Sequence, residues 1–341
     1  MKEDWFEKLL DKKRLQLQHF LTIFLKKYFK DFTDSIEEAS EEDICQLQQS
    51  FSKTWGPIYS SKLHRSFYFI KYAVPYCIEY REIYLAILNS KLLGNATSIS
   101  VLSIGCGAML DFIGFIYALR KINSHLTWAY HGIDIVDWEC KEISNASNAN
   151  IKFTCKGIGD ISTEELNNHY DIIIFPKSIS DIPSEEINAF ISSLPKRILP
   201  NTLILVLSKR GRSSTDNDYM DKTCDFIKSH YEYNTLQKGS ILGEGCIEIG
   251  KRKKTFTELL PLNFAKKIEK IQSDISSYLK RITDREQCPI ECRKGCSFNS
   301  YLMKNIASKP YIPYDIPPEY YPQTPTVNAE PVIYCLKRNG N

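Results

Sequence analysis

Hydrophobic positions along this chain change their spacing at about residue 97. Before it they recur at helical intervals. Leu9, Leu10, Leu15, Leu17, Phe20, Leu21, Phe24 and Leu25, with lysines between them, predict one helical stretch. A polar acidic segment, Asp34 to Glu42, separates it from a second helical block, Ser66 to Leu88. In that block Tyr68, Tyr72, Tyr76, Tyr80 and Tyr84 stand four apart, along one helical face, where they could stack bases or pack as core. Pro75 lacks a backbone donor and should kink or interrupt this helix.

Beyond residue 97 short runs rich in Ile, Val and Leu alternate with helical segments. Ser100–Ile104, Ala129–Asp134, Ile151–Cys155, Asp171–Phe175 and Thr202–Leu207 read as buried strands of a parallel sheet. Leu110–Asn123, Ser184–Leu194 and Asp218–His230 read as the helices between them, with Ser184 as a cap. The alternation predicts an α/β, Rossmann-like doubly wound and mostly parallel sheet. Further on, 241–249 reads as a late strand, Thr257 to Ile282 as a basic helical stretch, and 309–325, with six prolines, as extended chain. Pro331–Lys337 reads as a final strand. The expected organisation is a helical cap or substrate region (1–95), the Rossmann-like core (96–250), a helical and Cys/Pro-rich C-terminal insertion (251–330) and the last strand of the core (331–341).

Composition narrows the function classes. Hydrophobic residues make up 43% and charged residues 25%, as in ordinary globular proteins. A net charge of +3 excludes a global polyanion-binding character, so any nucleic-acid contact must be local. Two basic clusters qualify, Lys209-Arg210-Gly211-Arg212 and Lys251 to Lys254, as phosphate contacts or as solvated surface. The first residues, MKEDWFEKLLDKKR, lack the apolar core of a signal peptide, and no run is long and apolar enough to span a bilayer. The expected location is cytoplasmic, without membrane association. Eleven cysteines there do not read as a disulfide framework.

The chemistry concentrates where the first strand runs into Ser103-Ile104-Gly105-Cys106-Gly107-Ala108-Met109-Leu110. Glycines let the backbone bend tightly and let a ligand approach it, and the following helix offers unpaired N–H groups. A dinucleotide fingerprint would need a third glycine where Leu110 stands. The second strand ends at Asp134, whose carboxylate can accept hydrogen bonds from ribose hydroxyls. Trp138 follows, suited to packing on adenine or in the core. Asp160 stands after the third strand, and Pro176, Lys177, Ser178 and Asp181 after the fourth.

Together these stretches, over roughly residues 97–210, resemble the class I (Rossmann-like) S-adenosylmethionine-dependent methyltransferases. The resemblance implies a cofactor site from Ser103, Gly105, Cys106, Gly107, Asp134, Asp160 and Pro176. Asp134 would take the ribose and Asp160 the adenine amino group, although Gly159-Asp160 also reads as a turn. The family usually carries an acid where this chain has Ser103, and often a glycine at Met109. Lys177, Ser178 and Asp181 border the place of methyl transfer and are the catalytic candidates. The large additions and basic clusters lean the expected acceptor towards a macromolecule, RNA or protein. The opposing reading is a non-catalytic assembly protein on a degenerate methyltransferase fold. Separately, Cys288, Cys292 and Cys296 stand four apart beside Pro289 and Gly295, as a zinc or iron–sulfur knuckle or as thiols buried on one helical face.

Overall fold

The structure, a computed structural model, describes residues 59–90, 92–122, 126–138, 150–166, 169–194, 202–207, 214–231, 233–239 and 333–338, with several positions between 27 and 43. The helical stretch through Leu25, the strand at 241–249, the basic stretch from Thr257 and the proline-rich segment 309–325 lie outside the described residues.

Six of the seven expected strands are present among the described residues, within two residues at either end. They are β1 (Ser98–Ile104), β2 (Thr127–Asp134), β3 (Ile151–Cys155), β4 (Ile172–Phe175), β5 (Leu203–Leu207) and, at the end of the chain, β7 (Ile333–Arg338). One strand was not anticipated: β6, Tyr233–Gly239. Its sequence, YNTLQKG, has no apolar run, because it pairs with β7 alone at the edge of the sheet. The order is β3-β2-β1-β4-β5-β7-β6. The pairings from β3 through β5 are parallel, and those of β7 with β5 and β6 are antiparallel. This is a doubly wound α/β sheet, reversing its strand order between β1 and β4. Ligands of such sheets bind beyond the carboxyl ends of the strands at that reversal.

Four helices are described in full: α1 (Lys62–Asn89), α2 (Leu110–Lys121), α3 (Ser184–Ser193) and α4 (Ser214–Tyr231). α3 begins on Pro183, not on a side-chain cap from Ser184. The Pro183 carbonyl takes the N–H groups of Glu186 and Ile187, and two glutamates in the first turn suit the helix dipole. α1 runs through position 75 without interruption. Proline removes one helical hydrogen bond, and buried residues on both sides offset it: Phe67, Phe69 and Ala73 before, Cys77, Tyr80, Ile83 and Tyr84 after. Tyr80 and Tyr84 of the tyrosine stripe are core residues, while Tyr68, Tyr72 and Tyr76 are half-buried.

The chain divides into two compact units, one of residues 1–7, 76–252 and 328–341, the other of residues 8–75 and 253–327. In the second unit Tyr28 stacks on Phe69, with centroids 3.9 Å apart, and Lys62 pairs with Asp31. In the first unit the sheet is covered on both faces. Leu102, Ile104, Ile173, Phe175, Ile204 and Val206 pack with α3 and α4 residues such as Ile187, Phe190, Met220 and Ile227. On the opposite face Phe112 of α2 packs on Tyr130 and Trp128, and Phe115 meets Tyr84 of α1.

Gly114 sets the approach of α2 to α1, since a β-carbon there would lie 2.6 Å from Tyr80 Cβ and 2.7 Å from the Arg81 nitrogen. Gly114→Ala should therefore destabilise by ~1–3 kcal/mol despite alanine's better helix propensity. Urea denaturation checks this, and an unchanged or higher midpoint would contradict the packing described.

Candidate cofactor site at the strand ends

The turn after β1 is built from left-handed backbone: φ is 66° at Gly105, 52° at Gly107 and 53° at Met109. Glycine takes this region freely, whereas a side chain there costs about 1–2 kcal/mol. Met109, where a third glycine would relieve strain, is fully buried, and that burial offsets the conformation. The N–H groups of Gly105 and Cys106 both reach the Ile133 carbonyl, at 2.8 and 3.1 Å. Cys106 packs on Gly132, where a β-carbon would lie 2.8 Å from its sulfur. Ser103 is wholly buried within β1.

Asp134 closes the turn. Its Oδ2 accepts from the Gly107 N–H at 2.7 Å, and its Oδ1 from the Val136 N–H at 2.8 Å and the Trp138 indole N–H at 3.2 Å. Burial raises its pKa above the ordinary carboxylate range, these three donors pull it down, and the nearby Asp181 carboxylate pushes it up. Trp138 is buried and faces Gly107, the core alternative. Beside the carboxylate Ile135 is 75% exposed. The Asp160 carboxylate is exposed, and both it and Ile135 border Gly157: a β-carbon there would lie 3.3 Å from Asp160 Oδ2 and 3.9 Å from Ile135 Cδ1. Asp160 lies in a single 3-10 turn, Ile158–Asp160.

The loop after β4 lies against the glycine turn. Ser178 donates to the Ile104 carbonyl at 2.6 Å, and a β-carbon on Gly105 would collide with Ser178 Cβ at 2.4 Å. Pro176 is buried and Asp181 exposed. Lys177, with φ of 61°, is buried and pairs with Glu79 of α1 at 2.5 Å, its ammonium 4.4 Å from the Tyr76 ring centroid. Sequence reasoning did not single out Glu79, Tyr76 as a cation partner, or Ile135. For Glu79 the signal was an acid between Cys77 and Tyr80, among residues otherwise apolar or aromatic.

Beneath the turn, Asp111 in the first turn of α2 accepts from the Tyr130 hydroxyl at 2.9 Å. Burial lifts its pKa to about 6, against the pull of such donors. Among the described residues no group of three His, Cys, Asp or Glu could hold a metal ion, and no helix is long and apolar enough to cross a membrane. Cys288, Cys292 and Cys296, like Lys209, Arg210, Arg212 and the Lys251 to Lys254 cluster, lie outside the described residues.

No protein-family profile and no curated protein matches the chain. Among solved structures it is similar to the plantazolicin methyltransferase BpumL in complex with a monoazolic desmethylPZN analog and SAH, at 15% identity over 73% of this chain and 94% of that one, with a TM-score of 0.39. It is also similar to the trans-methyltransferase CalH in complex with SAH (14% identity, 53% and 47% covered, TM-score 0.33). A third is the sugar N-methyltransferase KedS8 from Streptoalloteichus sp. (8% identity, 48% and 58% covered, TM-score 0.32).

A buried histidine of β2 makes stability depend on pH. His131 is buried in β2, its ring nitrogens 3.0 Å from the Tyr170 hydroxyl and 2.8 Å from the Thr154 hydroxyl. Burial, with the Lys152 charge, lowers its pKa to about 3. The unfolded chain protonates it near pH ~6.5, so its stabilising contribution is present above that pH and is lost as pH falls towards the folded value. Asp111 acts oppositely, because its folded pKa is raised. Between pH 7 and pH 5 the wild type should therefore lose about 2 kcal/mol more than His131→Gln. Equal losses in denaturant titrations at the two pH values would contradict a buried, neutral His131.

Proposed function

We propose that the chain is an S-adenosylmethionine-dependent methyltransferase. The observation that carries this is the tie between Gly107 and Asp134 at the reversal of strand order, beside an apolar side chain left in water. A carboxylate offers about four acceptor positions, and the three N–H groups on Asp134 leave one for a ribose hydroxyl. Ile135 offers a flat purine an apolar seat, and the exposed Asp160 carboxylate can accept from its amino group. At Gly107 a β-carbon would meet nothing nearer than Trp138 at 3.8 Å, so the backbone there is open to a ligand, while Gly105 makes room for Ser178. The Asp134 and Asp181 carboxylates favour a cationic ligand at this end of the sheet.

Bound S-adenosylmethionine supplies an electrophilic methyl group on a cationic sulfur. The chain has to hold that group, orient an acceptor and exclude water. Ser178, fixed to the Ile104 carbonyl, and Asp181, exposed beside it, line the place where the acceptor arrives. For the acceptor we infer a macromolecule such as RNA, on the strength of the basic residues that follow β5, the end at which the cofactor would sit.

A second reading has its own observation. Asp134 is largely satisfied by the protein's own donors, and Ser178 already covers Gly105. That arrangement would also suit a non-catalytic assembly protein on a degenerate methyltransferase fold. Calorimetry separates the two. Micromolar S-adenosylmethionine binding, weakened at least tenfold in Asp134→Ala, supports the enzyme, and no binding by the wild type supports the assembly protein. For the acceptor, RNA binding should weaken with salt and disappear when Lys209, Arg210 and Arg212 are neutralised. RNA affinity unaffected by those changes removes the RNA proposal.

A further inference from the structure

We propose that Glu79 is a positioning residue of the cofactor site: through Lys177 it holds the loop after β4 in the conformation that lays Ser178 against the glycine turn. The inference rests on the methyltransferase reading for what the site binds.

Four observations converge. Lys177 is one of two non-glycine residues with positive φ among the described residues, and a lysine gains nothing intrinsic from φ of 61°. Its backbone N–H turns back to the Phe175 carbonyl at 2.9 Å across Pro176, a tight three-residue turn. Its ammonium is gripped from α1 by the Glu79 carboxylate and the Tyr76 ring. The next residue, Ser178, is the one bonded to Ile104 and packed on Gly105, and the Asp181 N–H closes back on the Ser178 carbonyl at 2.8 Å. The strained residue is thus the link between a fixed charge on α1 and the loop that covers the glycine turn.

Stability alone is a weak explanation for this pair. Burial raises the pKa of Glu79 while Lys177 lowers it, and the second carboxylate oxygen, Oε1, is buried with no hydrogen-bond partner among the described residues. Burying two charges is expensive, and an apolar pair of similar size is often as stable or more so. What an apolar pair lacks is the directional grip that keeps residue 177 left-handed.

This distinguishes geometry from charge. Glu79→Met/Lys177→Met removes the grip and leaves a β-carbon in an unfavourable conformation. Glu79→Met/Lys177→Gly removes the grip as well, but glycine accepts that conformation freely. The first double variant should fold, bind S-adenosylmethionine about tenfold more weakly by calorimetry, and exchange its Lys177→Met and Asp181 amide protons faster than the wild type. The glycine variant should recover both readings to within about threefold. Glu79→Gln, which keeps size and one hydrogen bond, should shift exchange in the same direction as the first and serves if that variant does not fold. Wild-type affinity and exchange in the Met/Met variant, or in Glu79→Gln if Met/Met is unfolded, overturns the proposal. So does a glycine variant as impaired as Met/Met, which would assign the effect to the lysine charge. If the wild type binds no S-adenosylmethionine, the methyltransferase reading falls, and the exchange rates alone decide whether Glu79 positions the loop.

Discussion

The site region is organised around one carboxylate. Asp134, at the end of β2, accepts from the backbone of the turn after β1, from its own following turn and from an indole. A partly buried carboxylate is tolerated only when its oxygens are hydrogen-bonded, and a tight turn whose N–H groups point inward needs an acceptor. Each requirement meets the other here. The glycine turn, the start of α2 and the end of β2 are thereby fixed to one another, and Ile135, the next residue, is left facing solvent.

The rest of the strand-end architecture follows from that fixture. With Gly105 and Gly107 held left-handed, the Cα face of Gly105 is open to a neighbour, and Ser178 takes it. Ser178 is held in turn by the buried grip on Lys177. Below, Asp111 and Tyr130 satisfy one another under the first turn of α2. Polar groups here lie between two apolar layers, one with α3 and α4, the other with α1 and α2. Their hydrogen bonds satisfy polar groups that would otherwise stand unpaired at the ends of a packed sheet.

The fold was largely legible because burial on both faces writes parallel strands as short apolar runs. SVLSI, IKFTC and LILVL each became a strand. Where burial is missing the signal vanishes: YNTLQKG pairs at an edge and reads as polar chain. Pro75 misled for a related reason. A local rule about one lost donor was outweighed by buried side chains on either side, which a local reading does not sum. Gly105, Gly107 and Asp134 stood out in the sequence because a glycine turn and a carboxylate at a strand end are local patterns, and the structure joins Gly107 to Asp134 by a hydrogen bond. The partner of Lys177 did not stand out, since Glu79 stands far away in sequence and meets it only once the helix is folded against the sheet. Trp138 and Met109 had ambiguous types, and only coordinates assign one to the Asp134 network and the other to a buried left-handed cap.

The claim at the centre of this account is that the strip from Gly107 through Asp134 and Ile135 to Asp160 is a single adenosyl-binding surface. Two-dimensional amide NMR during titration with S-adenosylmethionine addresses it directly. The account predicts saturable shifts at Gly107, Ile135, Val136, the Trp138 indole and Asp160, with the amides of the β6 edge unmoved. Saturating ligand that leaves those five signals in place, or shifts only residues elsewhere, would contradict it.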